Sequence, residues 1–312
     1  MKIGWHLPCS TVEVTPQRLV ESASNAEDAG FDSLWVNEHI LVPASVDSPY
    51  PFSDDGAFAA DPHSPYAEPL ATLAFIAAVT SRAQLGTSVL ISSYRHPLLM
   101  AKTAATVDLL CGGRLILGLG AGWMSEEFDA LGVPFKLRGK SFDEHLEILH
   151  RAWTEPTLSY EGEVFRFAEV GVEPRPPRGG DLPVWIGTGR GRAALRRAVR
   201  WAQAVHMIPR DATTVDDVLA MRDAIDRACE EQGRESPPEL TARARVRLGG
   251  EPGGYGVLAG SAESIAETLA KHAEAGVTHF VFDSRDVGYE RMLRSIEPLA
   301  KALGAVGIGG AA

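Results

Sequence analysis

Short apolar segments alternate with longer amphipathic segments along the chain, and this alternation constrains the fold more than any other feature of the sequence. Strands are expected from residue 3 and at about 33–37, 84–91, 114–119, 183–186, 203–208, 240–248 and 277–282, with helices at about 16–29, 68–80, 97–110, 141–153, 189–200, 214–232 and 262–275. Runs such as Leu115-Ile116-Leu117 are apolar at consecutive positions, as in parallel strands that are covered on both faces. A chain of 312 residues with this order is predicted to be an α/β protein, a single (β/α)8 TIM barrel.

Two long connections interrupt the alternation. Residues 41–67, after the second strand, are rich in Pro, Asp, Ser and aromatic residues, and residues 154–182, before the fifth strand, contain a predicted hairpin over 158–165. Loops of this length in a compact domain are usually lids, binding loops or disordered segments. We therefore expect one barrel domain over residues 1–303 with two insertions, followed by a flexible tail over 304–312.

Composition and charge narrow the classes of partner. A net charge of −11 argues against nucleic acid or an anionic membrane, because both favour clustered cations, and no apolar run is long enough to cross a bilayer. The amino terminus enters a strand at residue 3, so a cytoplasmic protein without a signal peptide is expected. The three cysteines lack the spacing of a disulfide framework or a zinc site. A small-molecule substrate and a homodimer are the expected partners.

A glycine-rich turn follows the fourth strand. Residues Gly118-Leu119-Gly120-Ala121-Gly122-Trp123 can bring backbone amides close to a ligand at the start of a helix. The spacing G-x-G-x-G followed by Trp123 departs from the dinucleotide-binding fingerprint, and the chain does not open with this unit. A Rossmann domain is therefore disfavoured, although a turn without any ligand remains an alternative.

Three segments together resemble one known family. They are Glu38-His39 after the second strand, Gly86-Thr87-Ser88-Val89-Leu90 on the third, and the run from Gly112 to Phe128. Over roughly residues 1–300 the chain resembles the luciferase-like monooxygenase superfamily, and within it the branch that depends on the deazaflavin F420. This resemblance implies a barrel enzyme whose cofactor lies at the carboxyl ends of the strands.

The resemblance also implies roles for individual residues. His39, with Glu38, would lie beside the reactive ring carbon and assist proton transfer, whereas from residue type alone His39 could equally be a structural histidine. Thr87, Ser88 and Val89 match the family's bulge under the ring, with Ser88-Val89 as the expected non-prolyl cis peptide. Further cofactor contacts are expected from the turn after the fourth strand, at Gly120, Ala121, Gly122 and Trp123. Trp123 occupies the position where the family's sugar-phosphate dehydrogenases carry a catalytic glutamate, which weakens the case for a sugar phosphate as substrate.

An anion site is predicted after the fifth strand. Gly187-Thr188-Gly189 offers free amides at a helix start, and Arg190 and Arg192 follow in the first turn. Two arginines at a helix start are unfavourable unless a negative group compensates them, so a phosphate is favoured there over a bare turn. With Arg210 after the sixth strand, these residues are expected to bind the phosphate of the cofactor tail.

The predicted function is F420-dependent oxidoreduction, a hydride transfer between the deazaflavin and a small organic substrate. FMN is the alternative cofactor, because it also combines a tricyclic ring with a phosphate, and a luciferase-like monooxygenase is the alternative enzyme. A flavin- or deazaflavin-binding protein without turnover is the alternative from another class. Metal-dependent hydrolysis is disfavoured and no metal site is predicted, since no His-x-His, H-E-x-x-H or paired cysteines are present, although Glu38, His39, His206 and Asp283 could face one barrel mouth.

Overall fold

The computed structural model describes residues 1–10, 13–51, 53, 55–58, 61–207, 209, 212–250 and 256–309. Within these residues the strands in chain order are β1 (Lys2–His6), β2 (Ser33–Val36), β3 (Gln84–Thr87), β4 (Leu90–Ile91), β5 (Leu115–Gly120), β6 (Leu158–Glu161), β7 (Arg166–Val170), β8 (Val184–Thr188), β9 (Ala204–Met207), β10 (Glu239–Leu248), β11 (Val257–Gly260) and β12 (Val277–Asp283). The helices are α1 (Pro16–Asp28), α2 (Pro69–Ala77), α3 (Pro97–Leu110), α4 (Ser125–Ala130), α5 (Arg138–Thr154), α6 (Arg192–Trp201), α7 (Val215–Gln232), α8 (Ala262–Glu274) and α9 (Tyr289–Ala305).

The strands close into a parallel barrel. In the described part of the chain the ring runs β1-β2-β3-β5-β8-β9-β10-β12, while the short strands β4 and β11 pair with β5 and β10 at the rim. The closing pair joins β12 to β1 in register, from Lys2 opposite His279 to Trp5 opposite Phe282. The predicted single (β/α)8 barrel is confirmed, and each predicted strand has its counterpart in this ring.

Aromatic side chains fill the barrel interior. Trp35 on β2 and Trp185 on β8 have ring centroids 4.8 Å apart, and both contact the rings of His206 and His279. Trp35 requires space from its neighbours, because a Cβ at Gly86 would overlap its ring. Gly86 therefore makes room for a large side chain, and the barrel is a packed core instead of a pore.

Short-range signals set the helix ends as predicted. Thr15 Oγ1 accepts a hydrogen bond from the Arg18 amide at 3.2 Å at the start of α1, and Ser261 Oγ accepts from the Ser264 amide at 3.2 Å at the start of α8. Gly30 and Gly276 follow α1 and α8 with φ of +94° and +100°. Such backbone favours glycine, which explains why both helices stop where they do.

The two insertions lie where the sequence places them. One connects β2 to α2, and the other carries the antiparallel hairpin β6–β7. The carboxylate of Glu144 on α5 closes the hairpin turn by accepting from the amides of Glu163 and Phe165 at 2.8 and 2.9 Å. The hairpin is confirmed, with its second strand beginning at Arg166, later than expected.

Some elements were not among those predicted. The short helix α4 and the last helix α9 have no counterpart in the sequence-based assignment, and β3 ends at Thr87 although one continuous strand over 84–91 was expected. Gly304 lies within α9, Ile308 is buried, and the Gly309 amide donates to the Met1 carbonyl at 3.1 Å. Residues 310–312 lie outside the described residues, so the flexibility of the tail stays a prediction.

Two further observations concern the cysteines and the apolarity of the helices. Cys9, Cys111 and Cys229 are buried and carry free thiols. Among the described residues, no helix combines the length and apolarity that a membrane span requires.

Candidate active site at the carboxyl end of the barrel

A cavity of about 320 Å³ opens at the carboxyl ends of the barrel strands. This volume is at the lower end of the range for small-molecule sites. Most of the predicted site residues line it, namely Glu38, His39, Ser88, Val89, Gly120, Ala121, Gly122, Trp123, Gly187, Thr188 and Gly189. Thr87 lies beneath this lining, and Arg210 falls outside the described residues, so its predicted phosphate contact stays a prediction.

The floor of the cavity is the bulge between β3 and β4. The Ser88–Val89 peptide bond is cis, which confirms the prediction. Thr87 fixes the strand before it, since Thr87 Oγ1 accepts from the Gly118 amide at 2.9 Å and donates to the Gly118 carbonyl at 2.8 Å. The bulge is therefore anchored to β5, and the Val89 side chain forms part of the cavity lining.

The glycines around this floor provide room for Val89. A Cβ at Gly120 or at Gly187 would lie 2.8 Å from a Val89 methyl, and a Cβ at Gly118 would overlap the Thr87 carbonyl oxygen. The sequence led us to expect these glycines to present amides to a ligand. The structure adds a packing reason for glycine at these positions, because a side chain at any of them would displace the bulge.

His39 forms one wall of the cavity together with Glu127 on α4. His39 Nδ1 lies 2.8 Å from Glu127 Oε2, and the Tyr94 hydroxyl donates to the same oxygen at 2.9 Å. The other oxygen, Oε1, accepts from the amides of Ile40 and Leu41 at 2.6 and 3.3 Å. Glu127 is buried, with 1% of its side chain exposed, whereas His39 keeps 12% of its side chain exposed.

Glu38 has a different partner from the one the sequence suggested. Adjacent charges led us to expect Glu38 to act on its neighbour His39, but its carboxylate faces Arg95, with Oε1 2.5 Å from the Arg95 guanidinium, and it accepts from the Ile91 amide at 2.6 Å. Burial raises the pKa of Glu38 to about 7, while Arg95 acts in the opposite direction. The residue lines the cavity, and its catalytic role stays a prediction.

Arg243 and Arg245 on β10 line a second wall of the cavity, and Arg243 connects it to the buried pair of Asp283 and Arg285. The Arg243 guanidinium on β10 donates to the Ser88 carbonyl at 2.5 Å and to Asp283 Oδ2 at 2.6 Å. Arg285 donates to both oxygens of the same carboxylate at 2.9 Å and to Asn37 Oδ1 at 2.8 Å. Burial alone would raise the pKa of Asp283, but Arg285 and Arg243 outweigh it and hold that pKa well below its usual range.

His206 lies under this wall. Its Nε2 is 2.8 Å from Ser88 Oγ and its Nδ1 is 2.9 Å from Thr241 Oγ1. Burial, reinforced by Arg243, lowers the pKa of His206 to about 3. This histidine is therefore neutral at physiological pH and helps to hold the bulge, whereas His39 is only partly buried.

The turn after β8 departs from its prediction in one respect. Gly187, Thr188 and Gly189 line the cavity, but Arg190 and Arg192 at the start of α6 face acidic residues on α7. Arg190 lies 3.8 Å from Asp217, and Arg192 lies 3.3 Å from Glu231. Protein carboxylates thus lie beside both arginines, and the phosphate site at this turn stays a prediction.

Aromatic rings from the first insertion cover the His39 wall. Tyr50 and Phe58 lie 5.1 and 5.4 Å from Trp123, and Phe58 and Tyr66 lie 5.3 and 5.1 Å from His39, measured between ring centroids. Burial raises the pKa of Tyr50 and of Tyr66. The insertion therefore surrounds the histidine with apolar surface that keeps water away from it.

Several residues of the site were missed by the sequence reasoning. Glu127 follows the recognised glycine turn by only a few residues, but nothing in the sequence connects it to His39. Arg243 had a usable signal, since Arg243, Arg245 and Arg247 alternate along β10, and charges at every second position of a barrel strand face one side. In the described part of the chain, no group of three or more His, Cys, Asp or Glu side chains could hold a metal ion.

Comparisons with known proteins identify the family. A family profile described as luciferase-like monooxygenase matches residues 1–252, and the chain therefore belongs to this family. An uncharacterized protein of Mycobacterium tuberculosis (strain H37Rv) is 28% identical over 303 residues, covering 97% of this chain and 99% of that protein. The F420-dependent glucose-6-phosphate dehydrogenase of Amycolatopsis mediterranei is 32% identical over 193 residues, which cover 61% of this chain and 52% of the dehydrogenase.

Solved structures show the same fold. The coenzyme F420-dependent tetrahydromethanopterin reductase of Methanopyrus kandleri superposes with a TM-score of 0.75 and 19% identity, covering 97% of this chain and 98% of the reductase. A riboflavin lyase structure containing a modified FMN gives a TM-score of 0.79 and 14% identity, covering 99% and 92% of the two chains. The barrel is thus shared by proteins whose structures are described with either cofactor.

Proposed function

We propose that the protein is an oxidoreductase that uses F420 to transfer a hydride to or from a small organic substrate. The observation that carries this proposal is the placement of His39 beside the Ser88–Val89 floor, with Nδ1 held by Glu127. F420 is favoured over FMN because the A. mediterranei dehydrogenase, at 32% identity, is an F420-dependent enzyme.

The residues of the cavity fit a flat ring with an anionic edge. A Cβ at Gly120 or Gly187 would fill the space beside Val89, so the bare glycines keep the floor open. Arg243 Nε is buried and has no hydrogen-bond partner among the described residues, which makes it suited to an acceptor on the ring. When bound, F420 would supply the hydride chemistry.

The chain's own groups would perform the remaining tasks. His39 would take or give a proton at Nε2, the nitrogen that Glu127 does not occupy. Tyr50, Phe58 and Trp123 would exclude water from that side. The amides of Gly187–Gly189 and the side chain of Arg210 are proposed to hold the cofactor phosphate.

Cofactor titration tests this proposal. The purified protein is titrated with F420 and separately with FMN, and binding is followed by calorimetry and by cofactor fluorescence. We expect F420 to bind more tightly, and Gly187→Val and Arg210→Ala each to weaken binding by roughly ten- to a hundredfold. Tighter binding of FMN would overturn the choice of cofactor, and no binding of either would overturn the function.

Turnover is tested on the same protein. Small alcohols and ketones are screened for bleaching or recovery of bound F420, and His39→Ala is compared in single turnover. We expect the variant to keep its cofactor affinity and thermal stability while hydride transfer slows by about a hundred- to ten-thousandfold. Binding without any substrate-dependent bleaching would favour the alternative, a binding protein without turnover.

We also propose that the protein forms a homodimer and acts in the cytoplasm. The neighbouring helices α2 and α3 leave large apolar side chains exposed, with exposed fractions of 42% for Phe75, 57% for Leu99 and 62% for Leu110. A second copy of the chain would remove this surface from water. Light scattering should give twice the chain mass, and Leu99→Asp together with Leu110→Asp should give monomers; a monomeric wild type would overturn the dimer.

A further inference from the structure

We infer that Glu127 is a positioning residue that fixes His39 with its hydrogen on Nδ1 and thereby presents Nε2 to the cavity. The catalytic consequence of this arrangement rests on the proposed function, but the arrangement itself does not. It can be measured on the protein without cofactor or substrate.

The environment of Glu127 makes its carboxylate a hydrogen-bond acceptor toward His39. Its two oxygens accept from the amides of Ile40 and Leu41 and from the Tyr94 hydroxyl, all of which are donors. Glu127 is 1% exposed, so water does not replace any of these contacts. A carboxylate that is held as an acceptor on every side accepts from the imidazole as well, and Nδ1 therefore carries a hydrogen.

This contact determines what the other ring nitrogen can do. Among the described residues none hydrogen-bonds His39 Nε2, while the ring lines the cavity. With Nδ1–H fixed, Nε2 has a free lone pair in the neutral ring and a hydrogen only in the protonated ring. With Nδ1–H held by Glu127, Nε2 is a base in the neutral ring and an acid in the charged ring.

The same helix turn also fixes the loop that carries His39. The carboxylate of Glu126 accepts from the amides of Asp47 and Ser48 at 2.7 and 2.8 Å, and Ser125 lies 2.7 Å from Ser48 between their hydroxyl oxygens. Ser125 and Glu126 therefore hold the loop further along the chain, at Asp47 and Ser48, and Glu127 orients the ring. Only Glu127 among them contacts His39, so Glu126 provides a matched control.

The substitution Glu127→Gln changes the hydrogen bond to the His39 ring while it keeps the size and shape of the side chain. Glutamine has one acceptor oxygen, which can keep the Ile40 and Leu41 amides, and its NH2 group would then face His39 Nδ1. A donor at this position favours the tautomer with a bare Nδ1 and a hydrogen on Nε2. Glu126→Gln changes the same group at the neighbouring position and leaves the contact with Nδ1 intact.

The test is nitrogen NMR of the imidazole rings in uniformly labelled protein, with His39 assigned from the signals that disappear in His39→Asn. We expect the wild type and Glu126→Gln to carry the hydrogen on Nδ1 and Glu127→Gln to carry it on Nε2. A wild-type ring with a bare Nδ1 would overturn the inference even if Glu127→Gln fails to fold.

Kinetics extend the test if the cofactor titration succeeds. Single-turnover hydride transfer is expected to fall about a hundred- to ten-thousandfold in Glu127→Gln, with a shifted pH profile, and to keep the wild-type rate in Glu126→Gln. Equal rates and pH profiles in wild type and Glu127→Gln would overturn the positioning role. Failure of F420 to bind would contradict the proposed function while the NMR result stands.

Discussion

The two walls of the cavity differ in how their charged side chains are paired. On the His39 wall one buried carboxylate, Glu127, is hydrogen-bonded to a histidine, a phenol and two backbone amides. On the Arg243 wall two guanidinium groups share one carboxylate, Asp283. The first wall therefore has one carboxylate surrounded by donors, and the second has one carboxylate shared by two guanidinium groups.

This difference assigns different tasks to the two walls. A carboxylate that accepts from one imidazole nitrogen leaves the other nitrogen, here Nε2 of His39, for proton transfer. The Arg243 guanidinium beside the Ser88–Val89 floor favours a bound group with an anionic edge. Arg243 hydrogen-bonds the Ser88 carbonyl of the floor, and His39 lines the same cavity.

The largest expected effect comes from breaking the arginine wall. Asp283→Ala leaves Arg285, which is 6% exposed, and Arg243 without their common partner, and a buried charge without compensation costs about 3–5 kcal/mol. Urea denaturation monitored by circular dichroism would measure this loss. The control is Asp286→Ala, which breaks the half-exposed pair with Arg247 and should cost at most about 1 kcal/mol. Similar losses in the two variants would mean that the wall does not depend on Asp283.

The next effect is a loss of folding stability in acid, which originates at His206 beneath the same wall. His206 has a folded-state pKa of about 3, below that of an unfolded histidine, so the unfolded chain binds a proton first as the pH falls. The stability contributed by neutral His206 is complete above about pH 6.5 and is lost between there and pH 3, at about 1.4 kcal/mol per pH unit. Burial likewise lowers the pKa of His6 and of His279, so the whole protein should lose stability steeply in acid.

His206→Gln isolates this contribution. Between pH 6 and 4 the variant should lose about 2.5 kcal/mol less than the wild type, whatever its stability at pH 7. His63→Gln, at an exposed position, should keep the wild-type slope. Denaturant melts at several pH values measure both variants, and an unchanged slope in His206→Gln would show that His206 is not neutral in the folded state.

The smallest effect concerns the floor that joins the walls. A methyl group at Gly120 would lie 2.8 Å from a Val89 methyl, so Gly120→Ala should cost about 1–3 kcal/mol by overpacking. Gly191, at the start of α6, has no atom within 4 Å of an added Cβ, and Gly191→Ala should cost less than about 1 kcal/mol. Thermal melts of the two variants compare them directly. Equal shifts would indicate that the bulge moves freely to accept the methyl group.

Much of the architecture follows from local patterns in the sequence. The apolar runs, the caps at Thr15 and Ser261, and the glycines at 30 and 276 act within a few residues, and the barrel they predict is the one observed. Because the strands are parallel, their exits meet at one end, so most predicted site residues line one cavity. The Ser88–Val89 cis bond was predicted from the resemblance to the family.

The partners of the functional side chains were decided only by the tertiary structure. His39 stands next to Glu38 in the sequence, yet its carboxylate partner is Glu127, 88 residues away, while Glu38 turns to Arg95. Adjacent residues leaving a strand point in different directions, so proximity in sequence does not indicate contact. The arginines at the start of α6 likewise pair with carboxylates on α7, which are distant in the sequence. Local periodicity determines which elements form, whereas the closure of the barrel determines which charges meet.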